Sequence, residues 1–544
     1  MHIDRAAGSD ASSRWFDGVA LLTLFWVAAV VGVLTLLASS DYFSNDAAQY
    51  WSVISNLLEG RGLKTSAVYY EVQAAHGMPA HQTVWPPGLP LLAAGLAWST
   101  GMDGVHAIVI LNALAHGATA LLIYWLVWRL RRSAIAAAAV AIGYTLYSLS
   151  LKLVLSGASE PLSVLAVVAS VACIAKAFDE REEGSLAWLA AAAAAIGAGS
   201  WFRYQAIFHI IPLGLVCLFT LARRASPWRA MVGSALACLP AVVAFGALIA
   251  RNWYLTGKIT GGPSSTYGQK IADLALQAKW AVLGLLGYGG DWPVRIAAVA
   301  LCLAGLACLW TLARANSSWR WPSRMMAWMV GFYGIASAIV TTGILVVLAY
   351  RSINYGLAGR YFLTSALLTV IAVAALWPQW NAVDRAQSSS SSATRAFALA
   401  AALLIAAQLG GLASFLRNGG EVVKIRHALA QSYEGKPVEE FLKASASRAT
   451  PVMSNQSQLL HLVLERPTFS VPQSHLTPRV WMPDDILSAA RRFGIVHLVI
   501  FRKMPDGSYE GATDYLWKLA EKPPADLVPL LVTDEIALYR IAKK

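Results

Sequence analysis

Two acidic residues of the sequence lie beside long apolar stretches, where an unpaired charge is unfavourable. Asp46 follows the first apolar run, and Glu160 stands in a short, nearly charge-free segment just before Pro161. A carboxylate at such a place can accept the proton of an attacking hydroxyl group, as a general base does. The structural alternative is that Asp46 caps a helix and that Glu160 faces the partial positive charge of a helix start. The sequence leaves both interpretations open.

Four arginines lie at the ends of apolar runs, on the side of the membrane that we predict for the two acids. They are Arg203, Arg251, Arg351 and Arg360. Guanidinium groups bind phosphate oxygens bidentately, although single arginines at a membrane edge also extend toward lipid phosphates without any further role. Several in one place favour capture of a phosphate group. Acids that activate a hydroxyl and arginines that hold a leaving phosphate suit group transfer from a lipid-linked phosphate donor.

Aromatic and histidine residues complete the set of candidates. A Trp-Pro-Pro-Gly segment at 85–88 suits the headgroup zone, where it would be an interfacial anchor. Tyr50 and His81 are candidates for contacts with a substrate. His76 and His81 do not have the paired spacing of metal ligands, so the sequence predicts no metal site, although a divalent cation stays open as a cofactor.

The elements that must position these residues are predicted to be membrane helices. Of 544 residues, 57% are hydrophobic and 13% are charged, whereas soluble domains carry about 25% charged residues. The net charge of +13 would suggest nucleic acid in a soluble protein. Here the arginines cluster between apolar runs, so membrane topology explains them and no nucleic-acid partner is predicted. The five cysteines all lie in apolar stretches, so no disulfide framework is predicted.

Apolar runs long enough to span a bilayer number about eleven, at roughly 20 residues each. A shorter run at 88–98 is predicted to lie at the interface or to re-enter, and the first span is predicted to be a retained signal anchor. The predicted spans are 18–38, 106–128, 134–153, 161–178, 186–202, 206–222, 231–250, 295–313, 325–350, 361–378 and 396–416.

Charge predicts the orientation of these spans. With a cytoplasmic N-terminus, four of the five cytoplasmic connectors are clearly basic, in agreement with the positive-inside rule. The loops 39–105, 154–160 and 251–294 then lie outside the cytoplasm. We predict two domains, a membrane domain at 1–417 and an extracytoplasmic tail at 418–544. The tail pattern predicts a small α/β domain, with strands at 452–454, 468–471, 495–501, 527–533 and 536–541 and helices at 456–464, 485–493 and 514–521.

At this point the chain resembles the bacterial GT-C glycosyltransferases related to protein O-mannosyltransferases and lipid A aminoarabinose transferases. The resemblance runs over nearly the whole chain, and the order of its motifs is more specific than any one of them. The matching motifs are Asp46-Ala47-Ala48-Gln49-Tyr50, Trp85-Pro86-Pro87-Gly88, Ser159-Glu160-Pro161, Arg251-Asn252 with Gly257, Gly359-Arg360-Tyr361, Val452-Met453-Ser454-Asn455 and Glu465-Arg466-Pro467.

The resemblance implies an inverting transferase that uses a polyprenyl-phosphate sugar and has no nucleotide-sugar site. It implies that Asp46 is the catalytic base and that Glu160 is the second acid, which orients substrate or supports a metal. Arg251, Arg360 and Arg351 would then bind the donor phosphate. Two departures stand out: Glu160 replaces an aspartate, and Trp85 stands where aminoarabinose transferases typically carry lysine, which argues against aminoarabinose as the sugar.

We therefore expect an α-helical polytopic membrane protein of the GT-C fold, with juxtamembrane helices, in the bacterial inner membrane. The expected partners are a polyprenyl-phosphate-linked sugar, membrane lipids, and an acceptor that is an envelope lipid, a glycan or a protein. The alternative is a transporter or flippase of lipid-linked sugars, whose ionisable residues would lie near the midplane. A third interpretation is a non-catalytic assembly subunit.

Overall fold

The computed structural model describes most of the chain as helices, with a six-stranded sheet near its end and a two-stranded sheet in the first loop. The described residues are 5–69, 71–179, 184–223, 225–259, 269–285, 325–351, 357–376, 408–431, 438–445, 450–471, 482–502 and 510–542. The helices are α1 (Arg5–Leu36), α2 (Asn45–Leu58), α3 (Gly88–Thr100), α4 (Gly104–Arg131), α5 (Ala134–Thr145), α6 (Ser148–Leu155), α7 (Glu160–Ala177), α8 (Leu186–Ser200), α9 (Ile210–Ala222), α10 (Pro227–Thr256), α11 (Ile271–Leu285), α12 (Met325–Arg351), α13 (Gly359–Leu376), α14 (Glu421–Gln431), α15 (Val438–Ser445), α16 (Ser457–Leu464), α17 (Pro483–Arg492) and α18 (Glu510–Glu521).

Seven helices in the described residues are long and apolar enough to cross a membrane, or eight if the bent pair α5–α6 is one span. The chain is accordingly an integral membrane protein. The seven are Gly18–Leu36 of α1, α4, α7, Tyr204–Ala222, α10, α12 and α13. Helices α3 and α8 are apolar but shorter.

The predicted spans compare with these helices in different ways. The predicted interfacial run at 88–98 is helix α3, and the predicted span at 186–202 is the 15-residue helix α8. The predicted span at 295–313 lies outside the described residues, and of 396–416 only 408–416 is described, as helix. The count of eleven stays a prediction.

The predicted span at 134–153 is two helices, α5 and α6, which meet at an angle of 48°. The break frees backbone groups that must find partners, because a bilayer offers no water to bind them. His116 Nε2 lies 3.3 Å from the Thr145 carbonyl oxygen, and Trp26 Nε1 donates to the Thr145 hydroxyl at 2.9 Å. His116 of a neighbouring helix thus gives the Thr145 carbonyl oxygen a partner at the break.

The sheet combines strands from the two ends of the chain. Its six strands have the order β2-β5-β4-β6-β8-β7, and β2 comes from the first loop while the other five come from the tail. Strands β2, β5, β4 and β6 run parallel to one another. Strand β8 runs antiparallel to both of its neighbours, β6 and β7. Strands β1 and β3 form a separate two-stranded antiparallel sheet. The strands are β1 (Lys64–Thr65), β2 (Ala67–Val68), β3 (Ala80–His81), β4 (Val452–Ser454), β5 (Thr468–Ser470), β6 (His497–Phe501), β7 (Leu527–Val532) and β8 (Ile536–Ile541). The α/β pattern predicted for the tail is confirmed.

Helix α2 lies between the membrane helices and the tail. Its residues Tyr50 and Ile54 are buried in one apolar cluster that also contains Leu89 of α3 and Leu459 of α16. On the tail side, the Trp51 ring packs 5.3 Å from the ring of His461. Each large apolar side chain buried in this way contributes about 1.5–3 kcal/mol, so α2 is fixed from both sides.

Candidate active site

Asp46 is the second residue of helix α2 and does not cap it. The helix begins at Asn45, and the Ser44 hydroxyl accepts a hydrogen bond from the Ala47 amide at 3.4 Å. The alternative interpretation of Asp46 as the helix cap is therefore wrong, because a serine two positions earlier already fills that position. The carboxylate of Asp46 is left free to interact with other parts of the chain.

The Asp46 carboxylate, in a residue that is 8% exposed, binds three side chains from distant segments. Its Oδ2 lies 3.2 Å from Arg360 Nη1 and 3.6 Å from Arg203 Nη1. Its Oδ1 accepts a 3.0 Å hydrogen bond from the indole Nε1 of Trp85. Both oxygens thus have defined partners, and two of the three partners are cations.

Glu160 begins helix α7 and is more deeply buried, at 2% exposed. Its Oε1 lies 3.1 Å from Arg203 Nη2 and 3.7 Å from Arg360 Nε. Both are ion-pair distances, but the Arg360 nitrogen is too far away for a hydrogen bond and the Arg203 N–H group is not directed at the carboxylate. Among the described residues, neither oxygen of Glu160 therefore accepts a hydrogen bond. Glu160 therefore keeps unused acceptor capacity beside the same two arginines that bind Asp46.

Tyr361 and Tyr50 surround this four-charge cluster, which we define as Asp46, Glu160, Arg203 and Arg360. The guanidinium carbons of Arg203 and Arg360 lie 5.3 and 5.2 Å from the centre of the Tyr361 ring. The hydroxyl of Tyr50 donates a 3.1 Å hydrogen bond to Ser159, the residue before Glu160. Burial, with the nearby Asp46 carboxylate, raises the pKa of Tyr50 above its usual range, so this hydroxyl stays protonated.

Two glycines bring the loops of the cluster close together. A methyl group at position 88 would lie 2.5 Å from the Trp201 carbonyl oxygen, which accepts a 2.8 Å hydrogen bond from the Gly88 amide. Gly157 has a φ of +67°, and a methyl group there would lie 2.8 Å from Ala47. Glycine is the residue that tolerates both situations. The first contact fixes the Trp85 segment against the Arg203 segment, and the second fixes the Glu160 loop against α2.

Arg251 lies near the cluster without belonging to it. Its Nη1 donates a 2.7 Å hydrogen bond to the backbone oxygen of Gln82, three residues before Trp85. Within the described part of the chain no carboxylate pairs with Arg251. The predicted end of a span at this residue is corrected, because helix α10 continues to Thr256. Among the residues that the structure describes, the positive charge of Arg251 thus has no carboxylate partner.

The remaining predicted residues lie apart from the cluster. Arg351 is the exposed last residue of α12, and no ion pair joins it to Asp46 or Glu160 among the residues that the structure describes. His81 is half-buried on β3, with its ring 5.9 Å from that of His76. Burial and the charges of Lys64 and Arg251 lower the pKa of His81, so the ring is neutral at pH 7.

Two residues of the site were not among the predicted site residues, namely Trp85 and Tyr361. Both belong to motifs that carry the resemblance, but the sequence alone predicts an interfacial anchor for Trp85 and no role for Tyr361. A buried indole normally needs an acceptor for its N–H group. Trp85 stands between two acidic motifs in the sequence. Its need for an acceptor therefore predicts a hydrogen bond from its N–H group to one of the acids.

The charge pattern suits an anion better than a cation. Both carboxylates already face guanidinium groups, and Arg251 adds a further positive charge nearby. The described residues contain no group of three or more histidine, cysteine, aspartate or glutamate side chains that could hold a metal ion. Planar guanidinium groups next to each other are well suited to the oxygens of a phosphate.

Comparisons with known proteins give a fold. No family model matches the chain, and no curated protein matches its sequence. Among solved structures, ArnT from Cupriavidus metallidurans in the apo state matches with a TM-score of 0.56 and 14% identity, over 98% of each chain. ArnT from the same organism bound to undecaprenyl phosphate matches with a TM-score of 0.55 and 14% identity, over 95% of this chain and 97% of that one. A likeness of this extent shows that the chain has the GT-C fold.

Proposed function

We propose that the protein is an inverting glycosyltransferase that moves a sugar from a polyprenyl-phosphate donor to an acceptor outside the cytoplasm. The observation that carries the proposal is the convergence of Asp46, Glu160 and Arg203, which are buried, with the half-buried Arg360 in one cluster. The GT-C fold supports it, since ArnT of this fold binds undecaprenyl phosphate. The acceptor is an envelope lipid, a glycan or a protein, and the site faces the outside of a bacterial plasma membrane.

In the proposed reaction the arginines hold the donor phosphate. Arg203 and Arg360 bind its oxygens, and Arg251 supplies the positive charge that offsets the single negative charge of a phosphodiester. A bound phosphate competes with the carboxylates for the same guanidinium groups. Donor binding therefore releases Asp46 from its ion pairs at the moment when a base is needed.

The chemical step is a single displacement at the anomeric carbon. Asp46 accepts the proton of the acceptor hydroxyl, and the hydroxyl oxygen forms a bond to the anomeric carbon. The bond from that carbon to the phosphate oxygen breaks, and polyprenyl phosphate leaves with the electron pair. The arginines stabilise the charge that develops on the leaving oxygen. Glu160, with its two free acceptor oxygens, accepts hydrogen bonds from sugar hydroxyls.

The test is transfer from a polyprenyl-phosphate sugar by the purified protein in detergent, where no gradient exists. Mass analysis of envelope lipids and glycans from a deletion strain first identifies the acceptor. Asp46→Asn is expected to lower the transfer rate by about 10²–10⁴-fold, the usual contribution of a general base. Asp179→Asn is the matched control, because it makes the same change in an aspartate outside the site, and it is expected to retain the wild-type rate.

Other outcomes decide against the proposal. If well-folded Asp46→Asn transfers sugar at nearly the wild-type rate, Asp46 is not the base. If the wild-type protein transfers no sugar but moves lipid-linked sugars across vesicle membranes, it is a transporter or flippase.

A further inference from the structure

We propose that Trp85 is a positioning residue for Asp46, and that the tail sheet helps to hold it in place. This inference rests on the proposed function, because it takes Asp46 as the base. The indole N–H donates to Asp46 Oδ1, while the two arginines approach Oδ2. The single N–H therefore fixes the rotation of the carboxylate. Without it, either oxygen could turn toward the guanidinium groups.

Trp85 is itself held by contacts on several sides. The ring of Tyr69 meets the Trp85 indole edge-on, with 5.8 Å between ring centres. The side chain of Gln82 donates a 3.2 Å hydrogen bond to the Trp85 carbonyl oxygen, and accepts one from the amide of Gln49 on α2 at 3.1 Å. The close contact between Gly88 and Trp201 fixes the chain just beyond. The indole thus reaches Asp46 from a defined direction.

Tyr69 connects this arrangement to the tail, because it directly follows strand β2. The Thr468 amide of the tail donates a 2.8 Å hydrogen bond to the Ser66 carbonyl oxygen, and β2 pairs with β5 in parallel. On its other side, the Ser52 hydroxyl of α2 accepts hydrogen bonds from the amides of Ser66 and Ala67 at 2.8 and 3.3 Å. The segment 66–69 therefore bonds both to the helix that carries Asp46 and to the tail sheet.

We expect Trp85 to affect the orientation of the Asp46 carboxylate and not the binding of the donor. A hydrogen bond to an ionised group is among the stronger ones in proteins, and a small misplacement of a catalytic group lowers a rate considerably. Trp85 acts only through Asp46 in this scheme. Its removal should therefore lower kcat with little effect on KM for the donor, and should have no effect once Asp46 is already replaced.

The experiment replaces Trp85 by phenylalanine, which keeps a ring and removes the N–H donor. Trp26→Phe is the matched control, because Trp26 also donates one hydrogen bond through Nε1, to Thr145 at 2.9 Å, but lies away from the site. We expect Trp85→Phe to lower kcat on the order of 10-fold, with KM for the donor within about 2-fold of wild type. Trp26→Phe should change neither constant by more than about 2-fold.

A double-variant cycle separates positioning from a general structural role. In the Asp46→Asn background, Trp85→Phe should leave the residual single-turnover rate unchanged, whereas a structural defect would lower it again by the same factor. Tyr69→Ala, which removes the ring against the indole, should lower kcat more than Tyr69→Phe does. If Trp85→Phe does not fold, the comparison of Tyr69→Ala with Tyr69→Phe tests the positioning role instead.

Several results would overturn the inference. An unchanged kcat for folded Trp85→Phe, a raised KM with unchanged kcat, or equal factors in both backgrounds would each do so. So would equal rates for Tyr69→Ala and Tyr69→Phe. The proposed function fails separately, because in that case the wild-type protein itself transfers no sugar.

Discussion

Helix α7 has ion pairs at each of its ends, and the carboxylates of the two groups differ in burial. At its start, Glu160 and Asp46 share two arginines, and the side chain of Glu160 is 2% exposed. Beyond its end, Asp179 pairs with Arg129 and lies 3.8 Å from Lys176, and these side chains are 18–43% exposed. Both groups pair carboxylates with cationic side chains, so the difference lies in the burial of the carboxylates.

The surroundings decide what each group can do. An exposed pair exchanges its interactions with water and contributes about 0–1 kcal/mol to stability. A buried ion pair loses hydration worth several kcal/mol per ion. Apolar residues of similar volume would stabilise this end of the helix at least as well as the buried ions do, so stability alone does not explain the ions. The proposed chemistry accordingly lies at the start of α7, and we expect only a small stabilisation from the pair at its end. Three substitutions test this contrast.

The largest expected effect is on stability, in Arg203→Met. Removing this guanidinium leaves the buried Glu160 with Arg360 alone, at 3.7 Å. Breaking a buried pair by removing one partner typically destabilises by about 3–5 kcal/mol. We expect the midpoint of thermal unfolding in detergent to fall markedly for Arg203→Met, and to fall less for Arg203→Lys, which keeps the charge.

The double variant Arg203→Met with Glu160→Gln serves as the control for that prediction. It should recover part of the lost stability, because no unpaired charge stays buried. An Arg203→Met protein as stable as wild type would mean that the cluster is hydrated, and the contrast between the two ends of α7 would be lost.

The second expected effect is on binding, in Asp46→Asn. In the proposed reaction a phosphate must displace the Asp46 carboxylate, whose Oδ2 lies 3.2 Å from Arg360 Nη1. The neutral amide competes less, so undecaprenyl phosphate should bind on the order of 10-fold more tightly, or about 1.4 kcal/mol. Equilibrium binding in detergent measures this. Weaker binding by Asp46→Asn would show that the carboxylate supports the lipid phosphate and does not compete with it.

Some elements and site residues of this molecule can be predicted from the sequence, and the contacts between distant segments cannot. In the tail, strand β4 and helix α16 were predicted within one residue of their bounds, because local hydrophobic patterns determine them. Strand β2 was not predicted, because a strand of two residues is too short to show an alternating hydrophobic pattern. Its partner β5 is also about 400 residues away in the sequence. The site shows the same division. Charges beside apolar runs identified Asp46 and Arg360, but their contact joins positions 314 residues apart and needed the fold.

The smallest expected effect is at the far end of α7, in Asp179→Asn. Its partners Arg129 and Lys176 remain partly exposed, so water and lipid headgroups can replace the carboxylate when it is removed. We expect a loss of stability of about 0.5 kcal/mol or less, and this loss should shrink at high salt because exposed pairs are screened. Unfolding midpoints of wild type and variant, measured at two salt concentrations, give the comparison. A loss as large as that of Arg203→Met, unchanged by salt, would mean that this pair is buried in the native membrane, and burial would no longer distinguish the two ends.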